Sequence, residues 1–215
     1  MDSLLFRADI LEMKLRALKT YGEAQTRRLL KPQPHSEEHL EYGEYTPALV
    51  DKEGNQYPAD YTVFGAYTSD GEYAWKPRYH IGQEVYIKEA CCTQCREYDW
   101  GSLNCYKDKI EHPDCIRLKW RSPLHMPEWA ARHFAVITGV WIGRLQDITP
   151  DDCLREGVSK KLATYLGIST AESEEEFAFD GSKLRRLYAA LFNSLKPAYT
   201  WDSNPYVWAV SFKLR

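Results

Sequence analysis

Residues Phe134–Val158 read FAVITGVWIGRLQDITPDDCLREGV, and this stretch decides the fold. Its first part, Phe134–Ile148, is rich in β-branched and aromatic residues and contains no proline, which predicts a central strand. Thr149 then has a side chain able to cap a helix whose first turn is Pro150, Asp151 and Asp152. Proline suits that turn because its missing N–H has no intrahelical partner there, and acids suit it because the helix N-terminus is electropositive. A long strand thus runs straight into a helix.

Working outward, further strands and helices alternate without repeats. GQEVYIKEA, Gly82–Ala90, alternates Val85 and Ile87 against Glu84, Tyr86 and Lys88 and reads as a strand, as does the final NPYVWAVSFKLR. At the N-terminus, a short strand precedes an amphipathic helix starting at about Asp9, a plausible cap, and Gly22 is a natural stop for it. Thr26–Leu30 is a short strand that must end before Pro32 and Pro34. Between Pro34 and Pro77, SDG at Ser69–Gly71 joins two strand-like runs into a hairpin. GSKLRRLYAALFNSL is a helix with Leu184, Leu187, Tyr188, Leu191 and Phe192 on one face. The pattern predicts a mixed α+β chain.

The 215 residues suit one domain with a sizeable core. With 28 Lys+Arg against 31 Asp+Glu, the overall field does not attract polyanions, so nucleic-acid binding must rest on a local patch. Charged residues interrupt the apolar N-terminus, which argues against a signal peptide, and no apolar run is long enough for a bilayer, so a cytoplasmic location with no membrane partner is expected. Thiols stay reduced there, and five of the six cysteines fall between Cys91 and Cys115. Cys92 and Cys95, with His112 and Cys115, form a C-x2-C and an H-x2-C pair sixteen residues apart, a spacing that can close around a structural Zn2+. A reduced, metal-free loop is the alternative.

Two basic stretches stand out locally. QTRRLLKPQP, Gln25–Pro34, places Arg27, Arg28 and Lys31 beside Thr26. In a strand the two arginines face opposite ways, so Arg28 is read as the inward one and Arg27 as meeting solvent or phosphate. LKWRSPLHMPEWAAR mixes Lys119, Arg121 and Arg132 with Trp120, His125 and Trp129, the combination of cations and flat rings that single-stranded nucleic acid uses. Packing in a proline-pinned loop explains the same rings.

Taken in order, QTRRLLKPQP, GQEVYIKE, the stretch from Trp120 to Val158, and WDSNPYVWAVSFK resemble the ASCH-domain proteins common in phages and prophages, a branch of the PUA-like superfamily. The resemblance implies a small mixed, partly open β-barrel with flanking helices, here as one domain over residues 1–215 with insertions at about 35–79 and, Cys-rich, at 91–119. It implies binding of nucleic acid, RNA above all, or of a modified nucleobase or nucleoside, in the cytoplasm of a bacterial host cell. One branch is an amidohydrolase of acetylcytidine, whose motif threonine, arginine and glutamate fall on Thr26, Arg28 and Glu156. Its lysine falls on Glu23 without a gap, or on Lys19 with a four-residue insertion. Three functions follow as expectations: a binding module, a hydrolase or ribonuclease using Thr26, Lys19 and Glu156, and a phage accessory or morphogenetic protein with the barrel as scaffold.

Overall fold

The structure is a computed structural model that describes residues 1–34, 39–69, 73–92, 105–106, 122–168, 177, 180–195 and 198–215. The chain is α+β, with most of its regular structure in small sheets. Along the sequence, strands β1 (Asp2–Leu5), β2 (Ala24–Leu29), β3 (Leu40–Tyr45), β4 (Ala48–Val50), β5 (Gln56–Pro58), β6 (Val63–Thr68) and β7 (Ala74–Trp75) come first. They are followed by β8 (Glu84–Lys88), β9 (Cys91–Cys92), β10 (Cys105–Tyr106), β11 (Phe134–Arg144) and β12 (Tyr206–Leu214). Four α-helices are described: α1 (Ala8–Tyr21), α2 (Pro150–Arg155), α3 (Lys160–Tyr165) and α4 (Gly181–Ser194). Among the described residues no helix is long and apolar enough to cross a membrane.

The main sheet has five strands in the order β1-β8-β11-β12-β2. β11 pairs antiparallel with β12 and β8, as a central strand must, and β1 joins β8 in parallel. The β11–β12 register shifts between Ile137 and Gly139, a bulge that leaves Thr138 as the extra residue. The expected strand over Phe134–Ile148 ends earlier, at Arg144, because a 3-10 turn over Leu145–Asp147 intervenes. The Asp147 carboxylate accepts the Arg144 backbone N–H at 3.2 Å and caps that turn. The junction is otherwise as expected: the Thr149 hydroxyl accepts from the Asp152 N–H at 3.1 Å, and Asp152 returns the bond to the Thr149 N–H at 3.3 Å.

Strands β1 and β2 are edges that do not pair with each other, so among the described residues the sheet is open and no closed barrel forms. Helix α1 is the segment that joins the two edges. Its N-cap is Arg7 rather than Asp9; Asp9 lies in the first turn, where it accepts the Arg7 guanidinium at 2.8 Å. Gly22, at φ 73°, ends the helix with its N–H on the Leu18 carbonyl at 2.9 Å.

Alternation along the strands sorts side chains into two cores. One packs Leu4, Phe6, Val85, Ile87, Val210 and Phe212 against Leu11, Ala17 and Leu18 of α1. The other packs Leu145, Ile148 and Cys153 against Leu184, Leu187, Tyr188, Leu191 and Phe192, the apolar face expected of α4. Each fully buried aliphatic or aromatic side chain contributes about 1.5–3 kcal/mol, so both cores are needed for a stable chain.

Residues of the first insertion form a small sheet, β3-β6-β7, that folds onto the first core through Ala66 and Trp75. Strands β6 and β7 pair antiparallel, Ala66 opposite Trp75 and Tyr67 opposite Ala74, with Thr68 N–H bonded to the Tyr73 carbonyl at 3.0 Å; Asp70 and Gly71 of the expected SDG turn lie outside the described residues. The indole N–H of Trp75 donates to the Pro32 carbonyl at 2.9 Å, and the Tyr42 hydroxyl donates to the Val140 carbonyl. These bonds fix the small sheet against β11 and against the segment that follows β2.

Candidate functional site

Strand β2 separates two arginines that are neighbours in sequence. Arg27 is turned toward α2 and α4, its side chain only 4% exposed. Its Nη2 donates to Asp152 Oδ2 at 3.0 Å, and its Nη1 to Glu156 Oε1 and Gln25 Oε1, both at 3.2 Å. Burial works against its charge, but Glu156, Tyr188 and Asp152 together outweigh burial and raise its pKa. For Asp152 burial likewise favours the neutral acid, and Arg27 with the Thr149 N–H and hydroxyl reverses this, holding the carboxyl below its usual range. The expectation that Arg27 meets solvent or phosphate is corrected: its donors are taken by carboxylates of the same chain.

Glu156 has a second cation. Lys14 of α1, itself buried, donates to the Glu156 carbonyl oxygen at 2.7 Å and to its Oε2, so each carboxylate oxygen of Glu156 holds one cation. Gly157 makes this approach feasible. At φ 94° it terminates α2, and a Cβ there would stand 2.7 Å from the Met13 Cβ and 3.0 Å from the Met13 backbone. Only glycine lets α1 come this close, and the close approach sets Lys14, next to Met13, against Glu156, next to Gly157. Burial lowers the pKa of Lys14, Glu156 opposes that shift, and Arg28 and Arg27 add to it.

Arg28 faces the other way and has no such partners. Its Nη2 donates to the Leu5 carbonyl at 2.8 Å, which ties the two open edges of the main sheet together, and its guanidinium lies 5.4 Å from the Phe6 ring centre. No carboxylate pairs with it among the described residues. Burial lowers its pKa, with Tyr79 and Glu156 opposing and Arg78 reinforcing.

Arg28 lines a cavity of ≈ 810 Å³ between the main sheet and the insertion. Five cations border it, Arg28, Lys31, Lys76, Arg78 and Lys88, and among the described residues no carboxylate does. Its aromatic walls are Tyr73, Trp75, Tyr79 and Trp208. The Tyr79 hydroxyl donates to the Ser3 carbonyl at 2.7 Å, and Arg78 lies 5.4 Å over the Tyr79 ring. Lys31, Lys76 and Arg78 are exposed at the rim, whereas Trp75, Tyr79 and Trp208 are buried in the wall. Cations and flat rings without acids form a site for an anion attached to a planar group.

Thr26, on the Arg28 face by strand alternation, is buried, and no direct hydrogen bond joins its hydroxyl to Lys14 or Glu156. Lys19 is exposed in the last turn of α1, and Glu23 accepts from the Thr138 hydroxyl and lies 3.8 Å from Arg155. The lysine that meets Glu156 is therefore neither of the two alternatives but Lys14, one helical turn or more earlier on α1.

Lys31 reaches the cavity rim as part of the same stretch as Arg28. His125 and Trp129 sit on two 3-10 turns near it; both are exposed, Trp129 at 55%, and only their neighbour Leu124 lines the cavity, where its carbonyl accepts from Lys88 at 3.0 Å. Arg132 forks onto buried Glu89 at 2.7 and 2.6 Å. Arg121 and three of the four zinc candidates, Cys95, His112 and Cys115, lie outside the described residues; Cys92 is on β9, its backbone opposite Cys105 of β10. No group of three metal-binding side chains occurs among the described residues.

The wall residues Tyr73–Tyr79 are functional candidates that sequence reasoning missed. WKPRY, Trp75–Tyr79, interleaves cations and rings just as LKWRSPLH does, and that signal was available. Comparison with protein-family models, curated proteins and solved structures finds no match for this chain.

Proposed function

We propose that this chain is a phage-type ASCH module of the PUA-like class that binds single-stranded nucleic acid, RNA above all, or a modified nucleobase in the cavity beside Arg28. One observation carries the reading: five cations and four aromatic rings line the cavity, and no carboxylate does so among the described residues. The rim cations would meet phosphates and the rings would stack on bases, the division of labour that single-strand binders use. Each phosphate neutralised on a single strand releases counterions, so affinity falls with salt at a slope of roughly 0.7 per contact. Titrating RNA, DNA and free modified nucleosides into the protein at several salt concentrations tests this. Salt-dependent binding is expected; no binding to any of them at low salt leaves the fold as a scaffold.

A second reading, a hydrolase of an acylated cytidine, is favoured by the buried Lys14 beside Glu156. Burial lowers the Lys14 pKa, the direction a lysine base needs, and β2 also carries Thr26. Both oxygens of Glu156 are engaged by Lys14 and Arg27, which suits a fixed ion cluster better than a moving proton. Hydrolysis of acetylcytidine by wild type and its loss in Thr26→Ala would support the hydrolase; activity surviving that substitution removes Thr26 from it.

A structural Zn2+ on Cys92, Cys95, His112 and Cys115 is proposed from spacing in the sequence alone. Elemental analysis finding no zinc in natively purified protein contradicts it.

A further inference from the structure

We infer that Arg28 selects the base that enters the cavity, favouring one whose edge offers two adjacent acceptors, as guanine does with O6 and N7. This rests on the binding reading above and goes beyond it, from a general affinity for strands to a choice among bases.

A guanidinium carries five N–H donors in a rigid fork and accepts nothing. In Arg28 one nitrogen donates to the Leu5 carbonyl at 2.8 Å and the cation lies 5.4 Å from the Phe6 ring centre, so two contacts position the group. The remaining donors have no paired carboxylate among the described residues, and Trp208, Val140 and Val210, which line the same cavity, are buried rings and aliphatics. The other buried donors of the wall are already satisfied: the Trp75 indole N–H by the Pro32 carbonyl and the Tyr79 hydroxyl by the Ser3 carbonyl.

The charged side chains that line the cavity are therefore one-sided, donors without a carboxylate among the described residues, beside the Ser3 and Tyr79 hydroxyls. A base presenting two acceptors satisfies the fork; adenine presents N7 beside an amino group, which sets a donor against one of the two Arg28 donors and leaves that donor without its acceptor. The rim cations, by contrast, face only what every strand shares, its phosphates. Lys31, Lys76 and Arg78 accordingly set affinity, and Arg28 sets preference.

Equilibrium binding of a short oligoadenylate is compared with the same strand carrying one central guanosine. Wild type is expected to bind the guanosine strand about tenfold more tightly, within the range of a bidentate arginine contact. In Arg28→Lys, which keeps the charge but not the fork, the two strands should bind within about twofold. The Lys76→Ala variant should weaken both strands equally and keep their ratio. Equal binding of both strands by wild type, or a ratio that survives Arg28→Lys, overturns the inference while the cavity still binds strands. Binding of neither strand overturns the binding reading as well. The wild-type ratio stands as a test even if Arg28→Lys fails to fold.

Discussion

Arg27 and Arg28 share a strand, a chemistry and a degree of enclosure, yet their hydrogen-bond partners differ. Arg27 is held by Asp152, Glu156 and Gln25, and Glu156 is shared with Lys14. Arg28 has one carbonyl, one ring and an open cavity. Buried charge is costly unless paired, so a cluster with its own counter-charges serves the fold, whereas a cation without one leaves donors open to the ligand proposed above. Partners, not burial, separate the arginine paired within the chain from the one proposed to recognise a ligand.

The cluster side of this comparison breaks most severely at Glu156. Glu156→Gln leaves two buried cations without their shared carboxylate and should lower unfolding free energy by about 3–5 kcal/mol, measured by urea denaturation. Gly157→Ala should cost about 2–3 kcal/mol in the same assay, since a Cβ at φ 94° meets the Met13 backbone. A substitution that left stability unchanged at either position would show that Lys14 and Glu156 are not pressed together by the α1–α2 contact.

Asp152→Asn removes one partner of Arg27 and should cost about 1–2 kcal/mol near neutral pH. Because the folded Asp152 pKa lies below its ordinary value, the unfolded chain binds more protons between the two. The stabilisation is thus fully present above the ordinary carboxylate range and is lost as pH falls through the lowered pKa. Stability of wild type and Asp152→Asn should accordingly converge in acid; a difference constant down to the acid limit would deny the ion pair its role. On the cavity side the expected stability effect is smallest: Lys31→Ala should change stability by less than about 0.5 kcal/mol while reducing the salt slope of RNA binding by roughly 0.7.

Much of the fold was legible because its signals are local. The Thr149 capping box, the Gly22 stop, the alternation of β8 and β12 and the apolar face of α4 are each written within a few residues of where they act. Asp9 failed as a cap for a local reason too: Arg7 lies two residues away and takes its carboxylate. What was not legible is long-range. Lys14 and Glu156 are 142 residues apart, and their meeting depends on a glycine beside one of them tolerating a methionine beside the other. The same holds for the cavity wall: Tyr73–Tyr79 looked like part of an insertion, and only the folding of β7 onto the main sheet, with Trp75 bonded to Pro32, brings it opposite Arg28. The family resemblance implied Thr26, Arg28 and Glu156 as candidates, but it could not say which of them face a cavity and which face one another.

The proposal that this chain meets nucleic acid in the cavity beside Arg28 is tested most directly by titrating single-stranded RNA into wild type and into Lys76→Glu/Arg78→Glu, two exposed rim positions whose reversal leaves the Lys14, Arg27, Asp152 and Glu156 cluster untouched. The account predicts salt-dependent binding by wild type and a loss of at least tenfold in the double variant at an unchanged unfolding midpoint. Equal affinity in the two proteins would contradict it.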